Sequence, residues 1–144
     1  MRIPLKIIPL ATILLLFHIN LCVAQPKSPV EVVEFFNKAY GTHLMDEIAD
    51  HTTPKFRDNK PKAVWIVDTW KTLNKLKYER LNSSLIDSKV KDDKSVVVIA
   101  GKIRTLAGDV TQKEVFYLIK PGDTWLIDEL IVTDEEIDLE KMKL

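Results

Sequence analysis

The sequence predicts an α+β fold: three N-terminal helices packed on a curved four-stranded antiparallel sheet. Two observations carry it. From Ser95 to Val132 the chain reads as three consecutive strands, apolar on both faces and joined by tight turns marked by glycine and proline. From Pro29 to Leu76 apolar residues instead recur at helical spacing. Helices and strands segregated along a chain build an α+β sandwich, not alternating βαβ units.

The chain has 144 residues, and its first two dozen read as a leader. Arg2 and Lys6 precede an apolar run from Ile7 to Phe17, broken only by Pro9 and Thr12. His18 and Asn20 then lead to Cys22-Val23-Ala24, with small residues at the positions signal peptidase reads. Residues 1–24 are therefore expected to be a signal peptide cleaved before Gln25, with the protein exported to a periplasm or secreted. The apolar stretch is shorter than the roughly 20 residues of a spanning helix, so no stable membrane anchor is expected after cleavage. An uncleaved anchor is the alternative. The bulky Leu21 beside Cys22 departs from a lipoprotein box.

Residues 25–133 are read as a single α+β domain and 134–144 as an acidic C-terminal tail. Cys22 is the single cysteine, so the mature chain is expected to hold no disulfide, thiol nucleophile or thiolate metal site. Without Arg2 and Lys6, 19 basic residues face 21 acidic ones, a balance that argues against nucleic acid as a partner. Eight basic residues cluster between Lys55 and Arg80, among them Lys60, Lys71 and Lys75; they are read as a solvated face, not a polyanion site.

The helices are punctuated in order. Ser28-Pro29-Val30-Glu31 is a capping box with proline in the first turn, and Val32, Val33, Phe36, Ala39 and Tyr40 follow on one face, with Gly41 placed to end the helix. A short second helix spans about Leu44 to Asp50, and Thr52-Thr53-Pro54 turns the chain. The third runs from Pro61 to about Leu76, with Ala63, Ile66, Val67, Trp70 and Leu73 expected against the sheet.

Tyr78–Asp87 is a weaker strand, and Lys89–Lys94 a polar turn. Strands follow at Ser95–Leu106, Val110–Lys120 and Thr124–Val132. Thr133-Asp134-Glu135-Glu136 is a second capping box and could open a short helix in the tail. A three-residue loop at Ala107-Gly108-Asp109 sets Lys102 opposite Glu114 and Ile99 opposite Tyr117; the last hairpin then pairs Tyr117 with Ile127. On this register the inward face carries Val97, Ile99, Gly101, Tyr117, Trp125, Ile127, Glu129 and Ile131. Phe116, Leu118, Leu130 and Val132 fall outward, on a face too apolar for full solvation. That face is expected to pack a homodimer.

The order of elements resembles the nuclear transport factor two-like superfamily, the cystatin-like α+β cone. The resemblance rests on Pro29-Val30-Glu31-Val32-Val33-Glu34-Phe35-Phe36 and on Asp46-Glu47-Ile48-Ala49-Asp50 leading to Thr53-Pro54-Lys55-Phe56. It also rests on the closing hairpin, Phe116-Tyr117-Leu118-Ile119-Lys120 with Asp123-Thr124-Trp125-Leu126-Ile127. It implies a cone-shaped pocket between helices and sheet and frequent dimers, but no particular reaction.

Within such a cone the candidate pocket residues are Tyr117, Trp125 and Glu129, with Tyr40 and Tyr78 reaching the same cavity. A buried Glu129 beside Tyr117 would form the base-and-donor couple of an isomerase or dehydratase. The competing reading is an ion-paired glutamate and a core tyrosine, and no catalytic residue is assigned. His43, Glu47 and His51 recur four apart on the second helix, a spacing that can hold zinc. They are read as a polar helix face, with no metal and no cofactor expected. The leading expectation is an exported non-catalytic domain binding a small apolar or amphipathic ligand. The alternatives are a cell-envelope interaction module with a filled cone and a small isomerase- or dehydratase-type enzyme.

Overall fold

The computed structural model describes residues 26–142 and 144; the leader expected at 1–24 lies outside them. Three helices, α1 (Pro29–Ala39), α2 (Met45–Asp50) and α3 (Lys62–Leu76), precede four strands, β1 (Glu79–Lys91), β2 (Lys94–Thr105), β3 (Gly108–Ile119) and β4 (Leu126–Thr133). The strands form one antiparallel sheet in the order β1-β2-β3-β4.

The start of α1 is the capping box read from sequence: Ser28 Oγ accepts from the Glu31 amide at 3.2 Å, and Glu31 returns a carboxylate oxygen to the Ser28 amide at 3.3 Å. Its apolar stripe, Val32, Val33, Phe36 and Ala39, is buried against Val97, Ile99, Phe116, Leu118 and Ile127 of the sheet. α2 is closed by a device the sequence did not announce. Buried Arg57 donates through Nη1 to the Ala49 carbonyl (3.2 Å), the Thr52 carbonyl (2.7 Å) and Thr52 Oγ1 (2.8 Å), placing a cation where the helix leaves its carbonyls unpaired. The segment beyond is tied to the edge of β4 by hydrogen bonds from Ile127 N to His51 O (2.8 Å) and from Thr53 N to Ile127 O (2.9 Å).

α3 is turned relative to expectation. It buries Trp65 and Leu73, with Ile66 and Trp70 half-buried, whereas Ala63 and Val67 face solvent. The helix leans on α2, so its buried stripe is set by that neighbour as well as by the sheet.

The register departs more deeply. Thr105 pairs with Gly108 across a two-residue loop, Leu106-Ala107, with Gly108 taking φ +109°. Ile99 therefore faces Glu114, Val97 faces Phe116 and Lys102 faces Thr111. The offset from the expected pairing is odd, so the third strand is inverted: Phe116, Leu118 and Glu114 point into the core, while Tyr117 and Val115 point out. In the last hairpin Tyr117 pairs with Glu129 and Leu118 with Ile127, leaving Asp128 bulged. The bulge keeps Ile127 inward and reverses the strand beyond it. Leu130 packs inward against the main core, and Glu129 and Ile131 leave the inward face. The polar turn between the first two strands is shorter than expected, Asp92-Asp93, because β1 runs on to Lys91.

The outer face carries part of this chain. Val96, Val98 and Val115 are buried with Leu139, and Tyr117, Ile137, Met142 and Leu144 pack around them. Lys89 Nζ donates to the Leu139 carbonyl at 2.7 Å and Lys113 Nζ to the Glu135 carbonyl at 2.6 Å. The tail is not helical: the Thr133 hydroxyl accepts from the Glu135 amide at 3.1 Å in a local turn, and the chain continues as irregular coil.

Candidate functional site

The concave side of the sheet changes character along its length. Toward Trp125, which is 5 % exposed, it is closed by Val97, Phe116, Leu118 and Ile127. Toward the start of β1 it becomes polar, and the polarity centres on Glu114. That carboxylate is fully buried, points inward from β3 and receives both of its partners from neighbouring side chains. Arg80 Nη2 donates to Oε1 at 3.0 Å and Oε2 at 3.1 Å, and Gln112 Nε2 donates to Oε1 at 2.8 Å.

Backbone irregularity makes this pair fit. Arg80 sits opposite Ile103 and Asn82 opposite Lys102, so Leu81 is an extra residue in β1; the bulge sets Arg80 on the same face as Gly101 and Glu114. Gly101 supplies the space. A Cβ there would lie 2.5 Å from Arg80 Nη1 and 2.8 Å from Glu114 Oε1, so any larger residue displaces the ion pair.

Above the pair stand two tyrosines. Tyr40, at the end of α1, stacks on Phe36 with ring centroids 4.8 Å apart and meets Tyr78 edge-on at 5.8 Å. Burial pushes the Tyr40 hydroxyl up to about 12, with Tyr78 adding to the rise, Arg80 opposing it and Glu114 adding again. Burial likewise raises Tyr78, with Glu114 adding to the rise and Arg80 opposing it through its charge and its approach to the hydroxyl oxygen. Both phenols therefore stay protonated and neutral throughout the physiological range.

Tyr40, Tyr78 and Arg80 line an open cleft of about 400 Å³ between the end of α1 and the start of β1, bordered also by Asn37, Gly41, Leu81 and Ser83. Three buried polar atoms of its lining residues have no hydrogen-bond partner: Asn37 Oδ1 and the Nε and Nη1 of Arg80. A second open hollow of about 420 Å³ lies on the far side of Tyr40, among Phe56, Trp65, Asp128 and Glu129.

Of the five residues expected in one pocket, Tyr40 and Tyr78 meet at the first cleft, and Trp125 is core at the opposite, dry end. Tyr117 lies on the other face of the sheet beneath the tail, for the reason of register given above. Glu129 is not buried: its side chain is 47 % exposed and binds Lys55 at 3.1 Å, alongside Asp128 at 3.0 Å. A Glu129–Tyr117 catalytic couple is therefore not assembled inside the cone. The carboxylate that does lie inside, Glu114, has its oxygens engaged by Arg80 and Gln112, an arrangement suited to holding an arginine in place.

His51, expected on a solvated stripe with His43 and Glu47, is instead buried, edge-on to Phe35 at 5.8 Å, because α2 ends at Asp50 and the chain turns inward to reach β4. Among the described residues no three histidine, cysteine or carboxylate side chains converge as metal ligands.

No protein-family model matches the sequence. No curated protein matches it either. Solved structures do. A SEC-C motif-containing protein of Rhodopseudomonas palustris superposes with a TM-score of 0.62 at 19% identity, over 76% of this chain and 82% of its own. A SEC-C motif-containing protein of Psychrobacter arcticus gives 0.55 at 11% identity, over 78% of this chain and 65% of its own. The NTF2-like design Rd1NTF2_04, described as having a long sheet, gives 0.54 at 14% identity, over 74% of this chain and all of the design. The shared architecture is the NTF2-like α+β cone, and at these identities the likeness extends to the fold alone.

Proposed function

We propose that this protein is an exported, non-catalytic domain that binds a small amphipathic molecule in the cleft between α1 and β1. The observation that carries the reading is the floor of that cleft, where a partly buried arginine is fixed by Glu114 and two of its nitrogens are buried without a partner. Buried polar groups are rarely left without partners in a folded protein unless something else supplies them. The volume of about 400 Å³ suits a small ligand. Tyr40, Tyr78 and Leu81 offer ring and aliphatic surface beside the polar floor. Export rests on the basic start and short apolar run of residues 1–24.

The test is a thermal-shift panel on the full chain, using eight- to twelve-carbon amphiphiles with different polar ends. A ligand of the right class raises the melting temperature in a concentration-dependent way, by the equivalent of about 2.7 kcal/mol at a hundredfold excess over Kd. Leu81→Trp, which narrows the cleft, abolishes the rise. If every member leaves the melting temperature unchanged, the binding reading fails.

A second reading, an interaction module with a filled cone, is favoured by one observation. The deep end of the cone is occupied by Phe36, Phe116 and Trp65, and edge strand β1 exposes Leu85, Ile86 and Val90. On that reading a second copy packs on the sheet beyond the area the tail covers. A clean monomer at micromolar concentration by native mass spectrometry removes the dimer.

A further inference from the structure

The unpaired atoms beside the cleft specify more than a polar end. They are the Nε and Nη1 nitrogens of Arg80, which make no full hydrogen bond although Arg80 also approaches the Tyr78 hydroxyl, and one spare acceptor, Asn37 Oδ1. Resting on the binding reading above, we propose that the cleft recognises a neutral amide. The ligand's carbonyl oxygen accepts from Arg80, and its N–H donates to Asn37.

Charge and stoichiometry agree. Glu114 already neutralises Arg80 from the side of the sheet, through both of its oxygens. A ligand carboxylate would set a second anion on one shared cation in a place shielded from water, a costly arrangement. It would also bring no donor for Asn37 Oδ1, leaving a buried acceptor unmatched. An amide brings two lone pairs and at least one N–H with no net charge, so it meets donors and acceptor together. The rim is balanced too, with Lys38 and Glu79 both bordering the cleft. The arginine nitrogens and Asn37 Oδ1 are all shielded from water, so the wall beside them must open for the amide, and Tyr40 and Tyr78 are the rings that share the cleft with Arg80 and Asn37.

The experiment compares octanamide with octanoate by titration calorimetry on the full chain. At pH 7.5 octanamide is expected to bind at least about tenfold more tightly, the factor that an unmatched buried group of about 1.4 kcal/mol imposes. Octanoate is expected to gain affinity as pH falls through its own carboxyl pKa, because the protonated acid offers a donor and a carbonyl as the amide does; octanamide stays level. Glu114→Gln keeps the size of the side chain, frees the charge of Arg80 and is expected to reverse the preference toward octanoate.

Octanoate binding as tightly as octanamide at pH 7.5, or weakening as pH falls, overturns the amide assignment while leaving the cleft a binding site. Binding of neither, with other amphiphiles of the panel bound, also overturns the assignment alone. If no member of the panel binds, the site itself is lost with it. Should Glu114→Gln not fold, the pH series on the unaltered chain decides.

Discussion

The two ends of the concave sheet face are built on opposite principles. At the Trp125 end, Val97, Phe116, Leu118 and Ile127 are at most 1 % exposed and make a dry core with Phe36 and Ile48. At the Arg80 end, β2 and β3 present Gly101, Glu114 and Gln112, β1 supplies Arg80, and a charged pair occupies the place of a hydrophobic layer. The dry end gains its stability from packed area. The charged end gains little net stability, since desolvating two ions consumes most of their attraction. On the binding reading, Arg80 and Glu114 stand where a further apolar layer could have packed because of what they hold ready at the cleft.

This contrast is broken most severely by Phe116→Ala. Phe116 is fully buried and meets Phe36 edge-on at 5.5 Å. Its truncation is expected to cost about 3–5 kcal/mol in urea unfolding, with ligand binding retained in whatever fraction folds. A cost under about 1 kcal/mol would show that the dry end is not the stabilising one.

Arg80→Met probes the other end. It leaves Glu114 buried with only Gln112 as partner, and about 3 kcal/mol is expected to be lost. The double variant Arg80→Met/Glu114→Leu should recover most of that stability and none of the binding. Recovery of both would make the pair structural and the cleft incidental. Such a result would erase the distinction between the two ends.

Of the dry end, the helical stripe and Val97, Trp125 and Ile127 were legible in the sequence, whereas Phe116 and Leu118, expected outward, were not, and the charged end was hidden. Hydrophobic periodicity and the Ser28–Glu31 box locate α1 and its buried stripe, because those signals are local and the tertiary structure agrees with them. The ion pair depends on register, which local pattern leaves open when both faces of a strand are apolar. Lys102 looked like the natural partner of Glu114, but a two-residue loop at Leu106-Ala107 and a bulge at Leu81 bring Arg80 there instead, from one strand further away. The bulge at Asp128 likewise sent Glu129 to Lys55. One signal was available. A lone glycine in the middle of an apolar strand, Gly101, marks a place where something approaches closely, and what approaches is the guanidinium of Arg80.

Gly101→Ala therefore sharpens the comparison at intermediate cost. The added methyl group must push aside Arg80 Nη1 and Glu114 Oε1, both ends of side chains that can shift, so the expected loss is about 1–3 kcal/mol. Binding should suffer more than stability, since the donors move while the core stays. Ligand affinity unchanged in a stable Gly101→Ala protein would show that the position of Arg80 does not matter.

The smallest effect belongs to Tyr40→Phe and is visible only in base. The hydroxyl, raised to about 12 by burial first and by Tyr78 next, keeps its proton more tightly in the folded than in the unfolded chain. With the folded value above the unfolded one, near 10, the favourable contribution is complete below pH 10 and is lost as pH rises toward 12. Tyr40→Phe has no proton to lose, so its unfolding midpoint should fall less than that of the unaltered chain between pH 8 and pH 11. At pH 8 the two should lie within about 1 kcal/mol. Parallel decline of the two midpoints would place the Tyr40 hydroxyl in water. Tyr40 would then no longer stand at the boundary where the dry core of the cone gives way to its polar mouth.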